Sequence, residues 1–158
     1  MQKIIEKIIQ KIYFCLNKTI NNEDIINLYL EIGEILSKDD ISYQNWFEIE
    51  DGIRKEFGVM VCFSRKNLNL MKKFYLYSKE INYSLYELDW NTYLFLLKMK
   101  KYKEYIEIAL KNHLNKREVE YYLKNGRIKK IRKNYIDPSL EELQDLQNKL
   151  NKNNQNLV

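Results

Sequence analysis

Hydrophobic residues recur along this chain at the three- and four-residue spacing of amphipathic α-helices. In residues 5–16, isoleucine or leucine stands at positions 5, 8, 9, 12 and 16, and charged or amide side chains stand at positions 6, 7, 10 and 11. A stripe with this period is buried on one side of a helix and leaves the other side in water. Similar stripes follow along most of the chain. The pattern therefore predicts an all-α protein, folded as a compact multi-helix bundle.

Side chains that cap helices mark where these stripes begin and end. Ser64 and the Asn115–Glu118 pair offer oxygen atoms to the unpaired backbone N–H groups of a first turn. Gly58 and Gly126 suit the left-handed conformation that closes a helix. The predicted helices cover residues 5–16, 22–36, 42–57, 65–75, 90–97, 102–111, 116–125 and 138–150.

Further capping signals divide the second half of the chain. Ser84 stands three residues before Glu87, which is the spacing of a capping box, and Asp89 is predicted to cap the fifth helix. Asp137 and Pro138 form an N-cap and first-turn pair. The predicted parts are a helical domain over residues 1–126, a basic connector over 127–137, and a C-terminal helix with a frayed polar tail over 138–158.

The helical stripes also predict which side chains form the centre of the core. The helix that follows Ser64 should bury its leucine, methionine and phenylalanine and expose its cations. The predicted core residues are Leu28, Ile32, Trp46, Phe57, Leu68, Met71, Phe74 and Trp90.

Composition favours helices and leads us to expect a cytoplasmic protein. The 158 residues include only four Gly and one Pro, too few for the many turns of a sheet protein. No segment approaches the roughly 20 uninterrupted apolar residues that span a bilayer. Glu6 and Lys7 interrupt the start of the chain, where a signal peptide would be apolar. We therefore expect a cytoplasmic protein with no membrane partner.

Positive charge is concentrated in two segments. Residues 64–73 hold four cations and residues 124–133 hold six, and neither segment contains an acid. Subtracting these ten charges from the net charge of +5 leaves −5 on the other 138 residues. A composition bias from an A·T-rich genome would supply lysine and tyrosine without a function, but it does not explain why the remaining segments are acidic.

The first basic segment places its polar residues on one side of a helix. Arg65, Asn69 and Lys72 stand at helical spacing, and Lys66 and Lys73 flank them. Such a side is either a surface that holds a polyanion or an ordinary solvated helix surface. The concentration of charge favours the polyanion.

No arrangement of residues predicts catalysis or a metal site. The chain lacks a Gly-rich phosphate loop, and its acid pairs on helices do not face each other. One histidine and two separated cysteines cannot form the usual four-ligand zinc site. We therefore expect a non-enzymatic protein with no cofactor and no metal.

Several blocks of sequence carry a family likeness. They are LYLEIG at residues 28–33, RKEF at 54–57, FSRKNL at 63–68, and the segment 105–119. Taken in order, these blocks resemble the N-terminal domain of the YhcG family. The chain departs from the family pattern at Asn91 and Thr92, where the family continues from its tryptophan to a histidine, and at residues 113–115, where Gly-Trp-Ser is usual. In that family the domain is usually joined to a restriction-endonuclease-like nuclease domain. Nothing after residue 126 resembles such a domain, so nuclease activity is not expected here.

The resemblance implies a helix-turn-helix-like unit whose second helix enters the major groove of DNA. Arg65 and Asn69 would then read bases, because guanidinium matches guanine and carboxamide matches adenine. Lys66, Lys72 and Lys73 would hold phosphates. The connector would act as an arm on the adjacent backbone or remain a solvated basic loop. Its candidate residues are Arg127, Lys129, Lys130 and Arg132.

Two functions remain open from the sequence. The first is a nucleic-acid-binding regulator of a phage or mobile element, with DNA preferred over RNA as the partner. The alternative is a protein-binding inhibitor of a nucleic-acid-handling defence complex, similar to an anti-CRISPR protein. The 13 tyrosines favour the alternative slightly, because tyrosine contributes much of the energy of protein interfaces. The apolar stripe of the first helix or of the last helix would also allow a homodimer.

Overall fold

A computed structural model describes residues 1–38 and 40–156, and it is all-α over these residues. Two short 3₁₀ turns, Val61–Phe63 and Leu85–Glu87, lie between helices, and no strand occurs in the described ranges. The predicted fold class is confirmed. The α-helices are α1 (Gln2–Leu16), α2 (Asn22–Ser37), α3 (Tyr43–Phe57), α4 (Arg65–Ser78), α5 (Trp90–Leu97), α6 (Tyr102–Asn112), α7 (Lys116–Asn125) and α8 (Pro138–Asn156).

Most of the predicted caps are confirmed by their hydrogen bonds. The Ser64 hydroxyl accepts from the backbone N–H of Asn67 at 3.3 Å at the start of α4. Asn115 and Glu118 form a reciprocal capping box at the start of α7. Gly58 follows α3 with φ 84° and Gly126 follows α7 with φ 70°, conformations that only glycine adopts without strain.

Two predicted N-cap residues do not make the capping hydrogen bonds expected of them. Ser84 precedes the second 3₁₀ turn but its side chain makes no capping hydrogen bond. Asp89 occupies the N-cap position of α5, yet its carboxylate accepts from the hydroxyls of Thr92 and Tyr135 and not from the backbone. The Tyr135 contact comes from a residue 46 positions away, so a local pattern does not reveal it.

The core is built around the close pairing of α2 with α4. A Cβ atom at Gly33 would lie 2.2 Å from the backbone carbonyl oxygen of Met71, so the two helices meet where α2 has no side chain. An aromatic cluster continues this contact into α5, with ring centroids 4.6 Å apart for Tyr29 and Trp90 and 5.3 Å apart for Phe74 and Trp90. All eight predicted core residues are buried, which confirms the helix phases.

The last helix packs on the same core. Leu143 and Leu146 of α8 are buried, and the Gln147 amide donates to the carbonyl of Leu16 at 2.7 Å. Residues 151–156, which were predicted to fray, continue α8 in the structure, and this polar segment has no glycine or proline to end a helix. Residues 157–158 of the predicted tail lie outside the described residues. Within the described part of the chain, none of the helices combines the length and apolar composition needed to cross a bilayer.

Candidate nucleic-acid interface

The polar side of α4 faces water as its sequence predicts. Lys66 and Asn69 are exposed, and Lys72 and Lys73 are half-buried. Leu68, at the centre of the opposite side, is completely buried. Four of the five predicted binding residues of α4 therefore share one accessible side of the helix.

Arg65 is directed away from this group of residues. Its guanidinium carbon lies 3.8 Å from the centroid of the Phe47 ring on α3. Its backbone N–H donates to the carboxylate of Glu50, and its Nη1 is buried without a hydrogen-bond partner among the described residues. Arg65 therefore joins α4 to α3, and the protein's own carboxylate occupies the first backbone N–H of α4.

A lysine from another helix completes the accessible side of α4. Lys66, Asn69 and Lys73 line a shallow depression of about 250 Å³ together with Leu70 and Lys98. Lys98 follows α5 directly as its C-cap residue. The depression therefore lies between α4 and the end of α5.

Lys116, at the start of α7, extends this group of cations. Burial lowers the pKa of Lys98, and the positive charges of Lys66 and Lys116 lower that pKa further. Mutual repulsion of this kind is relieved when an anion binds among the cations. We call Lys66, Asn69, Lys73, Lys98 and Lys116 the lysine face.

Lys73 also has a structural role within this face. Its ammonium donates to the backbone carbonyl of Leu97 at 2.7 Å and lies 4.1 Å from the centroid of the Tyr102 ring. The carbonyl belongs to the last turn of α5, where a cation is favoured by the helix dipole. Lys73 thus fixes the position of the neighbouring residue Lys98 while adding its own charge to the face.

Sequence reasoning missed Lys98, although the chain carried a signal for it. Residues 97–103 read LKMKKYK, with four lysines and no acid in seven positions. This segment forms the end of α5 and the start of α6, next to α4. Two acid-free segments, 64–79 and 97–103, therefore meet in the fold.

Lysine ammonium groups lie over the aromatic rings around the lysine face. Lys79 lies 4.7 Å from the Tyr75 ring centroid, and Lys116 lies 5.5 Å from that of Phe95. Cations over a ring occupy the surface on which a nucleobase would stack. The arrangement therefore suits phosphate contacts better than base stacking.

Two of the predicted connector cations are bound to the protein itself. Lys130 donates to the carbonyl oxygens of Asn112 and His113 at 2.6 and 3.3 Å. Arg132 donates to the same His113 carbonyl and lies 3.2 Å from the buried carboxylate of Glu118. Both cations satisfy carbonyl groups at the end of α6, where positive charge is favoured.

The other two predicted connector cations remain at the surface. Arg127 and Lys129 are exposed, and both lie beside Tyr121 of α7 at 5.9 and 5.5 Å from its ring centroid. All four connector candidates are exposed, but Lys130 and Arg132 bind carbonyl groups at the end of α6, whereas the Nε of Arg127 donates to the Tyr121 hydroxyl at 3.2 Å.

The cysteines and the histidine, side chains that often act in catalysis or metal binding, lie outside the lysine face. Burial raises the pKa of Cys15 to about 11 and that of Cys62 well above its ordinary value, so both thiols are protonated near neutral pH. The His113 imidazole is 3.0 Å from the carboxylate of Glu87 at an exposed corner. Over residues 1–38 and 40–156, no three His, Cys, Asp or Glu side chains are grouped as metal ligands.

Comparisons with known proteins give no relative on which to base a function. No protein family, no curated protein and no solved structure matches this chain. The resemblance to the YhcG N-terminal domain stays a prediction, and any functional conclusion has to rest on the lysine face.

Proposed function

We propose that this protein binds the phosphodiester backbone of nucleic acid, with DNA as the preferred partner, through its lysine face. The observation that carries the proposal is the convergence of Lys66, Lys73 and Lys98 from two helices on one depression. None of Lys66, Lys72 and Lys98 forms an ion pair with a carboxylate among the described residues. Their charge is therefore available to a ligand.

Electrostatics favours a polyanion over a neutral partner at this site. Lysines held close together repel each other, and a phosphate placed among them removes that repulsion and releases the counterions condensed on the nucleic acid. The chain outside residues 64–73 and 124–133 carries −5, although Lys98 and Lys116 belong to it, so positive charge is concentrated and not spread along the chain. A phosphate backbone would be attracted most strongly where these cations lie together.

The proposal is for backbone binding and not for base reading by Arg65. The guanidinium stacks on Phe47 at 3.8 Å, so reading a guanine would require breaking that contact. Asn69 is exposed within the depression and is the residue placed to contact a base edge or a sugar. Within a helix-turn-helix-like arrangement of α3 and α4, the middle of α4 would thus face the nucleic acid.

Charge reversal tests this proposal directly. We expect Lys66→Glu/Lys98→Glu to lose affinity for duplex DNA, single-stranded DNA and RNA in fluorescence anisotropy at low salt, since phosphate contacts are independent of sequence. Lys3→Glu/Lys7→Glu on α1 makes the same charge change at exposed positions and serves as the control. Equal binding by both double variants, or no binding by the wild-type protein, would rule out the proposed function.

A second candidate function is supported by a different surface. Val59 and Val61 are 87% and 71% exposed, and they line a hollow of about 270 Å³ together with Ile53 and Phe63. Exposed apolar residues beside a hollow are typical of protein interfaces. If the protein is instead an inhibitor of a nucleoprotein complex, Val61→Asp should abolish capture of that complex and Lys66→Glu should leave capture unchanged.

A further inference from the structure

The first turn of α7 lies between the lysine face and the connector. We infer that the lysine face continues over this turn onto the connector, so that the ligand is a run of consecutive phosphates on one strand and not a single nucleotide. The inference rests on the proposed function and adds the length and the path of the ligand.

Two adjacent residues of α7 contact the two different regions. Lys116 lies over Phe95 of α5, on the side of the lysine face. The Arg117 guanidinium donates to the carbonyl of Lys133 at 3.1 Å and lies 5.8 Å from the Tyr135 ring centroid, on the side of the connector. The two basic regions therefore adjoin through neighbouring residues and are not separated by a neutral surface.

The connector is held in a fixed position beside α7. The Asn115 amide donates to the carbonyl of Ile131 at 2.8 Å, and the backbone N–H of Ile131 donates to Glu118 Oε2 at 2.8 Å. Glu118 is completely buried, and it also caps α7. The accessible cations of the connector are thus preorganised and bind without the entropy cost of ordering a loose arm.

The carboxylates of this region are neutralised by cations inside it. Glu118 pairs with Arg132 at 3.2 Å and Glu120 pairs with Lys116 at 3.6 Å. The exposed cations of this side form no ion pair with a carboxylate among the described residues. They are Lys124, Arg127, Lys129 and Lys133.

A long strand with several phosphates would contact both the lysine face and the connector, whereas a short strand would contact only one of these two regions. Once part of a strand occupies the lysine face, the rest is held near the connector at high effective concentration. Affinity should therefore rise with strand length, and the connector should contribute only to the binding of longer strands.

Binding of single-stranded thymidine oligonucleotides of about 4 to about 16 residues, the range of typical single-strand sites, tests this inference. Four proteins are compared by fluorescence anisotropy over a series of salt concentrations: wild type, Lys66→Ala/Lys98→Ala, Lys129→Ala/Lys133→Ala, and Lys3→Ala/Lys7→Ala as the control on α1. We expect Lys129→Ala/Lys133→Ala to bind the shortest strand as the wild type does. On the longest strand its salt slope should fall by about 1.4, because each phosphate that is no longer neutralised lowers the slope by about 0.7.

The variants separate failure of this inference from failure of the proposed function. If Lys129→Ala/Lys133→Ala matches the control at every length while Lys66→Ala/Lys98→Ala is weakened, the connector is not part of the site and the lysine face still stands. A wild-type affinity that does not change with strand length would also overturn the inference. If Lys66→Ala/Lys98→Ala matches the control as well, the lysine face itself is refuted.

Discussion

Asp137 is a buried carboxyl at the start of α8, and its surroundings make the stability of the protein depend on pH. Only 7% of the residue is exposed, and its Oδ1 accepts from the backbone N–H of Ser139 at 2.9 Å. Burial, together with the charge of Asp89, raises the pKa of Asp137 from its ordinary 3.8 to about 6. Backbone hydrogen bonds, first of all the one from Ser139, oppose this rise only in part.

The sign of the pH dependence follows from this raised pKa. The folded protein binds the proton more tightly than the unfolded chain, so the stability that the neutral Asp137 carboxyl contributes is complete below the ordinary pKa of 3.8 and is lost as pH rises to about 6. The shift from 3.8 to about 6 sets an upper limit of about 3 kcal/mol, at about 1.4 kcal/mol per pH unit.

We therefore expect the stability of the Asp137→Asn variant, relative to that of the wild type, to increase as pH rises. The amide keeps the oxygen that caps α8 but cannot carry the charge. The difference in melting temperature, variant minus wild type, should increase as pH rises from 3.8 to about 6 and then level off, when measured by thermal unfolding with circular dichroism. Asp145→Asn, at an exposed position of the same helix, is the control and should show no such trend. A pH-independent difference for Asp137→Asn would contradict the assignment.

At the level of single residues, burial and exposure could be predicted from the sequence, whereas long-range contacts could not. The exposure of Lys66 and the burial of Leu68 follow from helical periodicity, which is local and can be read directly from the sequence. The stacking of Arg65 on Phe47 and the bond from Tyr135 to Asp89 join residues far apart in sequence. Periodicity contains no information about such contacts.

At the scale of elements, the packing of α2 against α4 depends on Gly33. We expect Gly33→Ala to destabilise the protein by about 1–3 kcal/mol, because its Cβ would lie 2.2 Å from the carbonyl oxygen of Met71 and neither backbone can yield locally. Urea unfolding measures the change in free energy.

Gly52→Ala provides the matched comparison for this effect. Its Cβ would lie 2.6 Å from the Cγ2 atom of Ile5, which is part of a side chain and can move more easily than backbone. Gly52→Ala should therefore lower the free energy of unfolding by less than Gly33→Ala does. Equal or reversed costs would show that the α2–α4 contact is looser than described.

Helix boundaries were largely predictable, because caps such as Ser64 and Gly126 act within one turn of the residues they close. The candidate site was predictable only in part. The α4 half of the lysine face follows from the polar side of one helix, but Lys98 joins it through the packing of α4 on α5. The sequence left the connector either as an arm or as a solvated loop, and no local pattern showed that Lys130 and Arg132 bind carbonyl groups at the end of α6.

At the scale of the whole molecule, the fold brings cations together that the chain keeps apart. Lys66, Lys98 and Lys116 belong to three separate segments, and they meet beside α5 because α4 and α7 both pack against it. The rest of the chain is acidic on balance, so these cations are a local excess of positive charge. This organisation is the basis for proposing a polyanion as the partner.

The salt dependence of duplex DNA binding is the most direct measurement of this central claim. The slope of log affinity against log salt reports the phosphates neutralised, at about 0.9 for each one on duplex DNA. If Lys66 and Lys98 each hold a phosphate, Lys66→Ala/Lys98→Ala should lower the slope by about 1.8 relative to the wild type. Lys3→Ala/Lys7→Ala should leave the slope unchanged. A slope for Lys66→Ala/Lys98→Ala equal to that of the wild type would contradict the claim that the lysine face binds nucleic acid.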